Sequence, residues 1–228
     1  MTKKRMTAEE FMAQLRGDAE YQARIAEQAR QSAEVEEMEC ELMRTLTAEG
    51  YPAGSLRELI GRYAPIPTPL ADLLVGLLVS TRHPSMQEGL VRALAAARSP
   101  FDVAPLVELF ERTNSEMLRW AIANTFAEVR PVALGSWLMR AVLDPKYGKA
   151  REMLAVAVAR TTSPDQANPV LVELLNDLPG HAALGLAETG TTAEVSALKK
   201  AYSRAAGWQR EQIGRTLDII ERRRQEHE

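Results

Sequence analysis

A degenerate repeat of about thirty residues constrains this chain more than any other feature of its sequence. The clearest copy, residues 181–202, reads as the end of one helix, a Gly-Thr-Thr turn and the start of another. The turns of successive copies are marked by Pro100, Pro131, Pro164 and Thr192, which lie 31, 33 and 28 residues apart. A period in this range indicates an array in which each small helical unit packs on the next.

Apolar residues recur at fixed distances from these four markers. Positions three, six and ten after them are apolar in every copy: Val103, Leu134, Ala167, Val195; Leu106, Trp137, Val170, Leu198; Phe110, Ala141, Leu174, Tyr202. Positions six and ten before them are Leu94, Thr125, Val158, Leu186 and Leu90, Ala121, Leu154, Ala182. Only Thr125 is polar. Because such offsets fall along one side of a helix, the pattern predicts two helices in each repeat, each with a buried stripe.

The run Ala-Leu-Gly-Leu-Ala-Glu-Thr-Gly-Thr-Thr-Ala-Glu-Val-Ser-Ala-Leu, residues 183–198, resembles the short HEAT-like repeat first recognised in phycobilin lyases. The resemblance extends over about residues 68–224 and is clearest at 179–206. It implies antiparallel helix pairs stacked into a right-handed α-α superhelix, a HEAT-like solenoid related to armadillo arrays. A repeat of this kind identifies an architecture and leaves the activity open.

We therefore predict an all-α protein with an N-terminal helical arm or cap over residues 1–50 and a solenoid of about five helix pairs over 51–228. The predicted helices of the arm are 7–16 and 19–47, the second capped by Asp18, and a short helix follows at 56–63. The predicted pairs are 68–80 with 84–98, 101–112 with 115–129, 131–143 with 146–161, 165–177 with 180–189, and 192–205 with 208–223.

The long helix of the arm is acidic. Residues 1–50 contain 7 Lys and Arg against 11 Asp and Glu, a net charge of −4, whereas the whole chain carries −3. The helix either covers the first open end of the solenoid or serves as a coiled-coil or docking arm. The protein is then a monomer, or a dimer formed through this helix.

Composition excludes several classes of protein. A pI near 5.8 without a basic stripe argues against a nucleic-acid partner. Cys40 is the only cysteine, so the chain forms no internal disulfide and no cysteine-based zinc site. The residues after Met1 lack the apolar core of a secretory signal, and the sequence has no apolar run long enough to span a membrane. We expect a cytoplasmic protein.

The sequence contains no recognisable catalytic motif. Its three histidines, His83, His181 and His227, are far apart and have no metal-ligand spacing. We find no nucleophile elbow, phosphate loop or dinucleotide fingerprint, and no lyase signature beside the repeat. We therefore expect no enzymatic activity, no cofactor, no metal and no catalytic residues.

Binding is expected on the inner wall of the superhelix, which the second helix of each pair would form. The candidate residues there are Glu88, Arg92, Arg119, Trp120, Arg130, Glu152, Arg160 and Glu188. The charged members either form ion pairs between repeats or line a mixed-charge groove for a peptide or protein. Trp120 lies one step from the core stripe, so it is either a contact between repeats or an exposed binding anchor.

Two functions follow from this pattern. The first is a non-catalytic protein-binding or scaffold module that uses the concave face of the solenoid. The alternative is a nucleic-acid-binding protein or DNA glycosylase-type enzyme with HEAT-like repeats, which also combines short helical repeats with Trp and Arg. A salt-sensitive shift of labelled duplex DNA would favour the alternative.

Overall fold

The computed structural model describes Thr7, residues 18–97 and residues 100–227, where the regular secondary structure is helical apart from an isolated parallel bridge between Ile66 and Ala97. This confirms the predicted all-α class. The predicted helix 7–16 lies outside the described residues apart from Thr7. The α-helices are α1 Ala19–Ala48, α2 Leu56–Tyr63, α3 Thr68–Ser80, α4 Pro84–Leu94, α5 Ala104–Arg112, α6 Glu116–Val129, α7 Gly135–Leu143, α8 Ala150–Thr161, α9 Pro164–Leu174, α10 Pro179–Thr189, α11 Val195–Arg204 and α12 Gly207–His227.

The chain divides into two compact units, Met1–Ser55 and Leu56–Glu228. In the first unit, α1 begins at Asp18, whose carboxylate accepts a hydrogen bond from the Tyr21 amide at 3.0 Å, as predicted. The helix ends at Gly50, which has φ of +88°, a conformation that glycine adopts without steric cost. Most of α1 is exposed, and its buried side chains are near its C-terminal end.

In the second unit, helices α3 to α12 form five successive pairs, and each first helix packs against the second helix of its own pair. The second helices, α4, α6, α8, α10 and α12, also pack against one another in chain order. We call this series the second-helix row. The first helices make few contacts with one another, so the second helices are the more closely packed layer.

The periodic apolar positions form the core of this unit. All eight residues six and ten positions before the markers are buried, which confirms the stripe predicted for the second helices. The twelve positions after the markers are buried or half-buried. Leu94, Val158 and Leu186, for example, have no exposed surface.

Thr125, the polar exception in the stripe, is buried with its hydroxyl satisfied. Its Oγ1 donates toward the Val91 carbonyl of the preceding second helix at 2.9 Å and lies 3.0 Å from the Ala121 carbonyl. Thr216 lies 30 residues after Leu186 and has the same arrangement, 2.9 Å from the Ala183 carbonyl. A hydrogen bond between helices therefore recurs at this core position.

Several helices of the repeats begin later than predicted. The helix predicted from 101 begins at Ala104, whose amide donates a hydrogen bond to the Asp102 carboxylate at 2.9 Å just before the helix. After Pro131, and again at Thr192, a turn of 3₁₀-helix precedes the α-helix. The helix predicted from 146 begins at Ala150, since Gly148 has φ of +49° and interrupts the helical conformation.

Gly185 allows close packing between helices, as its position in the repeat predicts. A Cβ atom added at Gly185 would lie 2.9 Å from Cδ2 of Leu171 in α9 and 3.2 Å from Cβ of Ala159 in α8. Because residue 185 of α10 has no side chain, α8 and α9 can approach α10 closely at this position.

None of the helices in the described part of the chain is long and apolar enough to cross a membrane.

Candidate functional site

The eight candidate residues lie on the second-helix row or directly after one of its helices. Glu88 and Arg92 are in α4, Arg119 and Trp120 in α6, Glu152 and Arg160 in α8, and Glu188 in α10, while Arg130 follows α6. Several of the charged members form hydrogen bonds or ion pairs with other groups of the protein. These contacts distinguish side chains with a structural role from side chains without partners.

Arg160 connects three successive second helices. Its Nη1 lies 2.9 Å from Glu128 Oε1 in α6, and its Nε lies 2.6 Å from Glu188 Oε1 in α10. Burial lowers the pKa of Arg160, but the hydrogen bonds and charges of Glu188 and Glu128 outweigh that effect and leave the pKa above its ordinary value. Glu128 was not among the predicted residues.

Arg223 of α12 extends this series. Its Nη2 donates to the Ala187 carbonyl at 2.6 Å and its Nη1 donates to the Glu188 carbonyl at 3.2 Å, both near the C-terminal end of α10. Donors at a helix C-terminus satisfy carbonyls that have no partner within the helix. We call Glu128, Arg160, Glu188 and Arg223 the charged row.

Three more predicted positions are also engaged. Arg92 pairs with Glu88 within α4 at 2.8 Å. Arg119 donates through Nε to the Phe110 carbonyl at 3.2 Å and through Nη2 to the Thr113 carbonyl. Its guanidinium also lies 5.8 Å from the centre of the Phe110 ring. The side chain of Arg119 therefore joins α6 to the end of α5.

Arg130 has a different environment. It ends α6 in the left-handed conformation with φ of +53°, and its side chain is exposed. It borders a hollow of about 350 Å³ that is lined by Pro100, Phe101, Val103, Val129, Pro131, Val132 and Ala133 in the turns between helices.

Trp120 of α6 is half-buried. The position eleven residues before each marker is occupied by Gly89, Trp120, Met153 and His181, and it is half-buried in all four second helices. Near it are Met117, which is 56% exposed, and the half-buried Leu184. We call Met117, Trp120, Met153, His181 and Leu184 the apolar stripe.

His181 lies at one end of the apolar stripe. Its Nε2 is 3.9 Å from Glu152 Oε2 of α8, and its ring meets the Trp208 ring of α12 edge-on with centroids 5.1 Å apart. Burial lowers the pKa of His181, and the charge of Glu152 opposes that shift. Trp208 covers Gly180 yet remains 49% exposed.

In α4, the position that corresponds to Trp120 is covered by the short helix α2. A Cβ atom on Gly89 would lie 2.7 Å from Cδ1 of Leu56 in α2, so a leucine of a short amphipathic helix covers this position in α4. In α6, α8 and α10 the equivalent position carries a large side chain that remains partly exposed.

Sequence reasoning identified Trp120 in this stripe but missed Met117, Met153 and Leu184, and placed His181 only at a helix start. The available signal was the repeat itself, because the offset of Trp120 from its marker leads directly to Met153 and His181.

Residues 18–97 and 100–227 contain no group of three His, Cys, Asp or Glu side chains arranged to hold a metal ion.

Comparison with known proteins gives no match to a family model, to a curated protein or to a solved structure.

Proposed function

We propose that this chain is a non-catalytic protein-binding module and that its repeats form a right-handed, HEAT-like superhelix with the second-helix row on the concave side. The packing supports this arrangement, because a row of closely spaced helices backed by less closely spaced ones curves toward the closer row. The hand of the superhelix follows from the resemblance of residues 183–198 to short HEAT-like repeats.

The partner contact is the apolar stripe, and the observation that carries this proposal is the exposure of Met117 together with the half-buried Trp120, Met153 and Leu184. Aromatic residues and Met are enriched in the centres of protein interfaces, where they provide large contact areas at low entropic cost. Met also adapts its shape to the partner. Met117 and Trp120 in α6 and Met153 in α8 bring these residue types together on adjacent helices.

The contact of α2 with α4 indicates the kind of segment that fits. Leu56 of this eight-residue helix packs against Gly89, at the position that Trp120, Met153 and His181 occupy in the following helices. A partner helix with an apolar face would lie on the stripe in the same way. Glu116, Lys149, Glu152 and the charged row lie on helices of the second-helix row or directly before one of them. They are of mixed sign and would form the polar rim.

Site-specific photo-crosslinking tests this proposal. A photoreactive amino acid in place of Met117 should crosslink a specific protein in an extract of the native host, whereas the same amino acid in place of Val132 should not. Val132 is the matched control because it is 78% exposed and lies outside the second-helix row. The added substitution Trp120→Ala should abolish the crosslink while the circular dichroism spectrum stays unchanged. Crosslinking that is equal at both positions would exclude the stripe as the contact.

A further inference from the structure

A second surface feature lies away from the apolar stripe, where two neighbouring repeats turn. A pocket of about 360 Å³ is lined by Val79, Thr81, Arg82, Gln87, Leu109, Arg112 and Thr113. These residues come from the C-terminal ends of α3 and α5, the turns after them and the first turn of α4. Val79 is 61% exposed, so the pocket opens to solvent.

The two turns around this pocket have matching chemistry. Thr81 is the C-cap of α3 and is followed by Arg82, while Thr113 is the C-cap of α5 and is preceded by Arg112. Both arginines are exposed, and neither has a hydrogen-bond or ion-pair partner within residues 18–97 and 100–227. Two guanidinium groups thus border one pocket, and its lining includes no Asp or Glu.

Three carbonyl acceptors at these helix ends are already occupied. Gln87 is 7% exposed, and its Nε2 donates to the Thr81 carbonyl at 2.8 Å. The Leu77 carbonyl accepts the Thr81 hydroxyl at 2.7 Å, and the Thr113 carbonyl accepts Nη2 of Arg119. Since the donors of Gln87 and Arg119 are engaged in this way, the guanidinium groups of Arg82 and Arg112 are the charged donors left for a ligand.

We propose that this pocket binds a doubly charged oxyanion, a phosphate group or a pair of carboxylates, between Arg82 and Arg112. A guanidinium presents parallel N–H groups that match the spacing of oxygens in phosphate and carboxylate. The ligand is either a free small molecule or an acidic group on a larger one. This site is independent of the protein-binding function proposed for the apolar stripe, because it shares no residue with that stripe.

Nuclear magnetic resonance of the arginine Nε–Hε groups in the full-length chain tests this inference. Titrations at constant ionic strength use inorganic phosphate and pyrophosphate in one arm and glutarate and citrate in the other. The signals of Arg82 and Arg112 should shift and saturate in at least one arm, whereas the signal of Arg140, which is exposed on α7, should not. Saturation by phosphates alone identifies a phosphate site, and saturation by dicarboxylates alone identifies a carboxylate site.

Substitutions complete the test. Each of Arg82→Ala and Arg112→Ala should weaken binding about tenfold or more, because a charge-assisted hydrogen bond is lost. Arg82→Lys should weaken binding less, since it keeps the charge but not the forked donor geometry. The control Arg140→Ala should leave binding unchanged. Shifts that stay linear with concentration in both arms, or that are equally large for Arg140, would overturn the proposal.

Discussion

The charged row and the apolar stripe both lie on helices of the second-helix row. They differ in how many of their side-chain groups already have partners within the protein. In the charged row, Arg160 contacts a carboxylate on each side, and Arg223 donates to the last carbonyls of α10. In the apolar stripe, Met117 is 56% exposed and Trp120 is half-buried. The charged row therefore connects neighbouring repeats, whereas the stripe is the surface that we propose as the partner contact.

This contrast bears on the two interpretations of the charged residues, as ion pairs between repeats or as a mixed-charge groove. Charged residues on the second helices suggest a mixed-charge binding groove, but a guanidinium that is already paired twice must give up those contacts before it binds a partner. A partly exposed tryptophan or methionine has no such contact to lose, and covering it removes apolar surface from water. The apolar stripe is therefore the better candidate for affinity, and the charged row is the better candidate for structural stability.

We expect the largest change in the free energy of unfolding from a substitution in the core, which supports both the charged row and the apolar stripe. Leu154 is fully buried in α8, the helix that carries both Met153 and Arg160. Leu154→Ala should lower the free energy of unfolding by ~2–5 kcal/mol, through the lost transfer energy and the remaining cavity. Urea denaturation measures this change. Met153→Ala on the same helix is the control and should cost distinctly less, because Met153 is only half-buried. Equal costs would mean that α8 does not direct Leu154 into the core.

A smaller effect is expected when the charged row is broken. Arg160→Met keeps much of the side-chain length but leaves Glu128 and Glu188 without their shared cation. Because both carboxylates are about half exposed, we expect a loss of only about 1 kcal/mol in the free energy of unfolding. The loss should shrink in ~1 M salt, which screens the charges. Arg140→Met removes an exposed arginine outside the row and should have little effect. A salt-independent loss would show that packing, not charge, is the contribution of Arg160.

The core could be predicted from the sequence because its signal is periodic. A helix that buries one side must repeat apolar residues every three or four positions, so the offsets of Leu94, Val158 and Leu186 reveal the buried stripe in each copy. Even the exception at Thr125 has a physical reason, since its hydroxyl reaches the Val91 carbonyl of the preceding second helix. Thr216 repeats that bond at the equivalent position and could have been found from the period.

The contacts between distant side chains could not be predicted in this way. Arg160 and Glu128 are 32 residues apart, and which carboxylate it reaches depends on how two helices are rotated about their axes. The period gives the spacing of residues within one helix but not the crossing of two helices. The arginine-lined pocket depends likewise on two turns whose bounding residues, Arg82 and Arg112, are 30 positions apart in the sequence.

The smallest effect should come from the titration of His181, and it distinguishes the stripe from the charged row. Burial lowers the pKa of His181 in the folded chain, so below its unfolded pKa of about 6.5 the unfolded chain binds more protons. The contribution of His181 to stability is therefore fully present above about pH 6.5 and is lost as the pH falls toward the folded pKa.

Urea denaturation of the wild type and His181→Gln at about pH 7 and about pH 5.5 measures this dependence. The wild type should lose more stability on acidification than the variant does, because glutamine does not titrate. The other titratable groups are the same in both proteins, so the difference between them isolates the histidine. Arg160 keeps its charge across this range, and Arg160→Met should therefore leave the pH dependence unchanged. If His181→Gln and the wild type respond alike to acid, His181 is not desolvated, and the end of the stripe near α12 is open to water.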